Sequence, residues 1–291
     1  MKKKILFVIN PVSGSYNKTE IEEQIYANIQ ADKFELQIEF TQYAKHAIEI
    51  AKQAASDGFD AVIAIGGDGS INEVAQGLIK SNTALGIIPF GSGNGFARHF
   101  RFPFNVKKCI EIINNYKIET IDTCTFNDQY FVNVAGLGFD AKVAHELSES
   151  KRRGLIPYVL GSIKHYFTAK SKKFTIYIDE LRVRKNAYVV AVANAKQYGY
   201  GVKIANSASI NDGLLNVVII NWFPKIIGLF VLSRLINGDF ESSWYVDTYE
   251  AKKIDIRFQG EFEYHIDGEP SVISKNVVIE VVPHSLKIIL P

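Results

Sequence analysis

An aspartate stands inside a run of small residues, Gly66-Gly67-Asp68-Gly69-Ser70, directly after the apolar run Ala61–Ile65. A tight turn is built more simply without an acid, and a carboxylate at this point suits holding Mg²⁺ beside a phosphate. Two further turns of the same kind follow apolar runs. Asn10-Pro11-Val12-Ser13-Gly14 follows Lys4–Ile9, and Gly91-Ser92-Gly93-Asn94-Gly95 comes two residues after Ala84–Ile88. Glycine tolerates positive φ and has no Cβ, so backbone N–H groups can approach a ligand closely. Where such a turn opens a helix, the unpaired N–H groups and the helix dipole favour phosphate. Three of them on neighbouring strand ends form one polyphosphate cradle. Taken singly, each also reads as a plain connection. Residues 91–95 are not the dinucleotide fingerprint, because Phe96 occupies the place of its third glycine, and no P-loop lysine pattern occurs.

These turns need strands and helices to position them. Up to about residue 120 the two alternate. Lys4–Ile9 reads as a strand, and Thr19 with Glu22 has capping-box spacing ahead of Ile21, Ile25 and Ile29 at helical period. Phe34, Leu36, Ile38 and Phe40 alternate as a half-buried strand, and Ala47 to Ala55 form a helix that Gly58 stops. Ala61–Ile65 and Ala84–Ile88 are continuous apolar runs, as parallel strands covered on both faces require. Ile71, Val74, Ala75, Leu78 and Ile79 stripe the helix between them, and Asn105 can cap another. The order implies an open α/β sheet with its ligand site at the carboxyl ends of the strands.

Past Ile121 the pattern becomes β. Strands are expected at Gln129–Ala135, Phe174–Ile178, Ala187–Ala193, Leu214–Ile220, Lys253–Phe258, Glu261–Ile266, Val277–Val282 and Leu286–Leu290. Helical interruptions fall near 154–170 and 224–237. The reading is therefore two domains, 1–121 and 122–291, the second a larger, mainly antiparallel β-sandwich. Within it, Ser209-Ile210-Asn211-Asp212-Gly213 and Asp267-Gly268-Glu269 bring carboxylates into short polar segments that, on their residues alone, read as ordinary turns.

With 291 residues, 47% of them hydrophobic, the chain can bury a core in each domain, and its net charge of +2 argues against a protein built mainly to coat nucleic acid. Two cysteines, Cys109 and Cys124, cannot make a disulfide scaffold, which points to a reducing, cytoplasmic setting. The apolar start ends at Asn10-Pro11, too early for a secretion signal, and no run approaches the ~20 residues of a spanning helix. Any contact with lipid is then peripheral.

Taken together, the motifs resemble the diacylglycerol kinase/sphingosine kinase family of lipid kinases. The resemblance rests on Gly66-Gly67-Asp68-Gly69-Ser70 with Asn72-Glu73, on Asn10-Pro11-x-Ser13-Gly14, on Thr41 and His46-Ala47, and on Gly91-Ser92-Gly93-Asn94. It continues through Asn133, Gly136-x-Gly138-Phe139, Ser209-x-x-Asp212-Gly213-x-Leu215 and Asp267-Gly268-Glu269. It implies a Rossmann-like first domain of the NAD kinase/lipid kinase type. There, Asn10, Pro11, Val12, Ser13, Gly14, Thr41, Gly66, Gly67, Asp68, Gly69, Ser70, Asn72, Glu73, Gly91, Ser92, Gly93 and Asn94 line the ATP site. It further implies that Asp68 acts on the phosphates through Mg²⁺, that Glu269 is the general base, and that Asp267 supports it. A second, structural Mg²⁺ would use Asp212 with groups of Ser209 and Leu214, linked through water towards Asp122. Ser70 stands where threonine is commoner in the family. Gly95 stands where many bacterial diacylglycerol kinases carry aspartate, which leaves the acceptor open between diacylglycerol and a related lipid.

Between residues 151 and 173 lie Lys151, Arg152, Arg153, Lys164, Lys170, Lys172 and Lys173 without an acid, interleaved with apolar residues. Such a stretch suits an anionic membrane surface or, equally on composition, a solvated helix. An NAD kinase shares the Gly-Gly-Asp-Gly turn, but no Thr-Pro-Thr-Gly-Ser-Thr-like segment follows. A nucleotide-responsive regulator without turnover is the rival from another class, and the presence of Asp68, Asp267 and Glu269 speaks against it. The sequence shows no nucleic-acid motif and leaves a homodimer open.

Overall fold

Apolar runs without polar alternation need cover on both faces, and the first part of the chain supplies it. Strands and helices alternate as β1 (Lys3–Ile9), α1 (Lys18–Asn28), β2 (Phe34–Phe40), α2 (His46–Ser56), β3 (Ala61–Gly66), α3 (Asp68–Leu78) and β4 (Ala84–Pro89). The short α4 (Gly95–His99) and α5 (Val106–Asn115) follow. The computed structural model describes residues 2–13, 18–91, 93–149, 161, 169–199, 201–237 and 240–291. It divides into unit 1, Met1–Ile121 with His284–Pro291, and unit 2, Asp122–Pro283.

In unit 1, β2, β1, β3 and β4 lie side by side in that order, all parallel. β3 and β4 are buried along their whole length. The register sets Ile9 beside Phe40 and Ile65, and Ile65 beside Ile88, so these carboxyl ends finish level with one another. From β1 the chain steps to β2 on one side, and its next strand, β3, lies on the other. This reversal is where open α/β sheets bind ligands. Ile21 and Ile25 of α1 and Cys109, Ile110 and Ile113 of α5 pack against Ile5, Phe7, Ile63 and Ile65. Asn105 caps α5 by accepting the Lys108 amide at 3.0 Å.

Unit 2 contains most of β5 (Ile118–Phe126), then β6 (Gln129–Phe131), β7 (Val134–Gly138), α6 (Phe139–Glu149), β8 (Lys172–Ile178) and β9 (Leu181–Ala193). After β10 (Gln197–Gly199) and β11 (Val202–Lys203) come β12 (Leu215–Asn221) and α7 (Gly228–Asn237). β13 (Val246–Ala251), β14 (Lys253–Arg257), β15 (Phe262–Ile266), β16 (Glu269–Ile273) and β17 (Val277–Ile289) complete it. β9 organises the sandwich. Its first half pairs antiparallel with β8, and its second half runs between β7 and β12. Val190 and Val192 face one apolar cluster while Val189, Ala191 and Ala193 face another, which is why this stretch reads as continuously apolar.

Three features depart from the sequence reading. The chain end, expected with the second domain, contributes residues 284–291 to unit 1: Ile288 pairs with Leu85 of β4 and Ile289 enters the core beside Ile5. Val277–Val282 and Leu286–Leu290 join as the single strand β17, with His284 at φ 48°. Gln129–Ala135 divides into β6 and β7, because the amides of Val132 and Asn133 turn to a carboxylate. The helical interruption expected near 224–237 is present, as a 3-10 turn, Lys225–Ile227, followed by α7. The helix expected near 154–170 lies almost wholly outside the described residues.

Candidate active site

The turns after β1, β3 and β4 are built on one another. Asn10 is the clasp. Its amide N–H donates to the Ile65 carbonyl at 3.1 Å, its Nδ2 donates to Ser70 Oγ at 2.9 Å, and its Oδ1 accepts the Val12 amide at 3.1 Å. A Cβ on Gly66 would stand 2.5 Å from Ser70 Oγ and 3.4 Å from Ser13 Oγ. One on Gly91 would stand 2.7 Å from Gly67 Cα, so these two backbones come this close because residue 91 is glycine. The Phe90 amide donates to the Gly66 carbonyl at 2.7 Å. Asn94, fully buried at φ 49°, accepts the Gly91 amide on Oδ1, and its Nδ2 donates back to the Gly91 carbonyl. The Gly93 carbonyl accepts Arg98 Nε at 2.9 Å. Val12 is exposed beside Pro11, and the Thr41 amide donates to the Ile9 carbonyl at 2.9 Å, which puts Thr41 at the same end of the sheet. Gly14 and Ser92 lie outside the described residues.

Two helices open into this region, and their N-termini differ. α4 is capped from outside: Asp68 Oδ1 accepts the Phe96 amide at 3.3 Å. Burial pushes the Asp68 carboxyl up to about 6, against the pull of the Phe96, Asn94 and Gly95 amides and the Arg98 charge. α3 has Gly67 at its N-cap, which has no side chain to offer, so its first-turn amides on Asp68, Gly69 and Ser70 lack a capping group. An anion fits there. Asn72 is buried on α3, and its Oδ1 has no hydrogen-bond partner. Glu73 reaches α2 instead, accepting the amides of Lys45 at 3.0 Å and Ala47 at 3.3 Å. It thereby fixes the segment holding Thr41 and His46.

In unit 2, Asp267 adopts φ 50° and spends its carboxylate on three backbone amides, those of Val132, Asn133 and Val134, at 2.9–3.0 Å. Glu269, two residues on, starts β16 and is exposed. The turn between them rests on a buried cluster that the sequence reading missed. The Gly268 amide faces His265 Nδ1 at 3.4 Å, and His265 Nε2 lies 3.2 Å from Asp140 Oδ2, which also accepts the Tyr198 hydroxyl at 2.9 Å. A Cβ on Gly136 would fall 1.9 Å from that oxygen. Gly136-x-Gly138 followed by Asp140 was the available signal, but His265 lies 125 residues away in the chain.

Of the residues expected at a second metal site, Asp122 lies on β5, and Ser209, Asp212 and Leu214 lie in the connection between β11 and β12. Asp122 is fully buried, and its Oδ2 accepts the Gly213 amide at 2.7 Å. Asp212 Oδ1 accepts the Leu214 amide at 3.0 Å, and Ser209 Oγ bonds Asn211 Oδ1 at 3.0 Å. Among the described residues no three His, Cys, Asp or Glu side chains gather as a metal cluster. A cation here would rest on the Asp212 carboxylate with oxygens of Ser209 and Leu214, and through water on Asp122, a hard-oxygen donor set that fits Mg²⁺. Of the basic stretch, Lys151, Arg152, Arg153 and Lys164 lie outside the described residues, while Lys172 Nζ donates to the Glu261 carbonyl and covers the Phe262 ring.

Comparison with known proteins agrees across the chain. Residues 4–126 match the diacylglycerol kinase catalytic domain, and residues 133–290 match the YegS C-terminal NAD kinase beta sandwich-like domain. Proteins named probable lipid kinase YegS-like from Yersinia pestis (strain Pestoides F) and Yersinia pseudotuberculosis serotype O:1b (strain IP 31758) are 28% identical over 279 residues. Each alignment covers 94% of this chain and 92% of the relative. A crystal structure of a putative diacylglycerol kinase from Bacillus anthracis str. Sterne superposes with a TM-score of 0.84 at 24% identity, covering 99% of this chain and 96% of that one, a likeness of fold. A second structure described as a putative diacylglycerol kinase from the same organism gives a TM-score of 0.84 at 26% identity, covering 99% and 97%.

Proposed function

The chain belongs to the diacylglycerol kinase-like family of lipid kinases, in its YegS-like branch, and from that membership we propose that it transfers the γ-phosphate of ATP to the hydroxyl of diacylglycerol or a related lipid. The observation that carries the nucleotide half is the contact of three glycine-lined turns, Gly91 against Gly67 and Asn10 against Ser70. The uncapped first turn of α3 receives phosphate oxygens on its amides, and Asn10 and Ser13 hold the turn beside it. Phosphoryl transfer depends on positioning and charge neutralisation more than on covalent chemistry. Mg²⁺ held at Asp68 would supply part of that neutralisation, and Asp212 with groups of Ser209 and Leu214, linked through water towards Asp122, would hold a structural ion.

The lipid hydroxyl gives its proton to the Glu269 carboxylate as its oxygen bonds to the γ-phosphorus, and the bond from phosphorus to the β–γ bridging oxygen breaks to leave ADP. Asp267 fixes the backbone that presents Glu269, through its three amide bonds. No helix among the described residues is long and apolar enough to cross a membrane. In this reading the protein meets its acceptor peripherally, at the cytoplasmic face of the inner membrane.

The test supplies γ-labelled ATP and Mg²⁺ with diacylglycerol, sphingosine and ceramide in mixed micelles, and NAD⁺ as a separate acceptor. Label in a lipid is the expected result. Label in NAD⁺ alone, or in none of the four, overturns the assignment.

A further inference from the structure

The tryptophans of unit 2 are placed where a soluble surface gains nothing from them. The chain has two, Trp222 and Trp244, and they are 52% and 98% exposed. They flank the end of the ladder between β12 and β13, just past the bond from the Asn221 amide to the Tyr245 carbonyl. Ile226, in the 3-10 turn, is 91% exposed, and Phe230 on α7 is 59% exposed. Their support is rigid. Phe223, between Trp222 and the turn, is buried against Tyr188 and Tyr245, the Trp222 amide donates to the Asn186 carbonyl at 2.8 Å, and Val231 points into the same core as Phe223. One face of this segment anchors it, and the other presents large apolar groups to solvent.

From Trp222 to Asn237 the charged residues are Lys225 and Arg234, with no acid. Arg234 lies 5.7 Å from the Phe230 ring and bonds Ser242 Oγ at 2.6 Å. The neighbouring acids have partners: Glu241 accepts the Asn206 amide, and Asp247 is held by Lys185 and Asn221. Asp239 lies outside the described residues. We propose that Trp222, Ile226, Phe230 and Trp244, with Lys225 and Arg234, form the surface by which unit 2 docks on an anionic lipid bilayer. Tryptophan favours the level of lipid headgroups, aliphatic and phenyl groups enter the acyl boundary, and the two cations pair with anionic headgroups while their stems stay in apolar surroundings. A second copy of the chain fits less well, because a two-fold contact would oppose this positive patch to itself. The choice of a bilayer as occupant rests on the lipid-kinase reading.

Both tryptophans lie in the surface, so the unmodified protein reports on itself. Vesicles of phosphatidylcholine with a third phosphatidylglycerol are expected to shift its tryptophan emission to the blue and to carry it up a flotation gradient, with binding at least tenfold weaker on phosphatidylcholine alone. The double substitution Ile226→Glu and Phe230→Glu keeps both fluorophores and touches only exposed side chains. It should abolish the shift and reduce flotation at least tenfold, with an unchanged melting temperature. Phosphorylation of a water-dispersed short-chain diacylglycerol should be unaffected by it. Wild-type protein that phosphorylates the short-chain lipid but gives no shift on anionic vesicles overturns the docking surface and leaves the kinase reading standing. Patch-dependent vesicle binding by a protein that phosphorylates no lipid does the reverse. Sedimentation showing a dimer that the double variant breaks, with vesicle binding intact, assigns the surface to a second copy and overturns the proposal.

Discussion

Asp68 in unit 1 and Asp267 in unit 2 each sit beside glycine in the most conspicuous motif of their unit, and each accepts backbone amides. What they leave available differs. Asp68 fills the N-terminus of α4, while that of α3 keeps a glycine cap, so unit 1 presents backbone N–H groups. Asp267 takes up three amides of the β6–β7 connection, and unit 2 presents a side chain, the exposed Glu269. Backbone donors suit a bound anion, and a carboxylate at the surface suits proton transfer. In both places the central acid of the motif orders its surroundings, and a neighbouring group faces outwards.

The strongest test separates Glu269 from Asp267. Glu269→Gln should lower turnover about 10²- to 10⁴-fold, the span of general-base catalysis, with nucleotide affinity and melting temperature unchanged. Asp267→Ala should instead cost about 3 kcal/mol of stability in urea unfolding, because it strips a charged acceptor from three amides. If Asp267→Ala unfolds like the wild type and loses turnover as completely as Glu269→Gln, the roles of the two acids are exchanged. Next in size, Gly91→Ala drives a methyl into the Gly67 backbone and should weaken ATP binding about tenfold by titration calorimetry, through overpacking of about 1–3 kcal/mol. Unaltered ATP affinity would detach these turns from the nucleotide.

The smallest effect is a pH dependence. The Asp68 carboxyl is raised from 3.8 to about 6 in the folded chain, so the favourable contribution of its protonated form is complete below pH 3.8 and is lost as pH rises through about 6. Asp68→Asn does not titrate, so its melting temperature relative to wild type should climb between pH 4 and pH 7 and then level off. A difference that stays flat over that range would place the carboxylate in water. If the ionised form serves phosphoryl transfer, wild-type turnover should fall as pH drops through about 6.

Unit 1 was largely legible because its strands are continuous apolar runs and its helices carry one apolar stripe each. β13 and β16 escaped notice for the opposite reason. Val246–Ala251 buries only its two end residues, and Glu269–Ile273 buries none, so neither shows the alternation that marks a half-buried strand. The site divides in the same way. Asn10, Gly66, Ser70 and Gly91 lie within motifs, and the strand register brings them together. Asp140, Tyr198 and His265 come from distant parts of the chain, and of the three only Asp140 stands beside a motif, Gly136-x-Gly138. Glu73 and Asp122 were noticed as members of a pattern, but their work, fixing the start of α2 and the turn at Gly213, depends on tertiary distance.

Residues 284–291 lie beside β4 and supply Leu286, Ile288 and Ile289 to the interior of unit 1. A nascent chain that has left the ribosome as far as residue 121 therefore has all three glycine-lined turns but lacks a neighbour along one edge of its sheet. That edge stays open until residues 284–291 have been synthesised, and exposed strand edges invite pairing with other chains. The order of translation thus lets unit 1 begin folding before unit 2 and finish only after it.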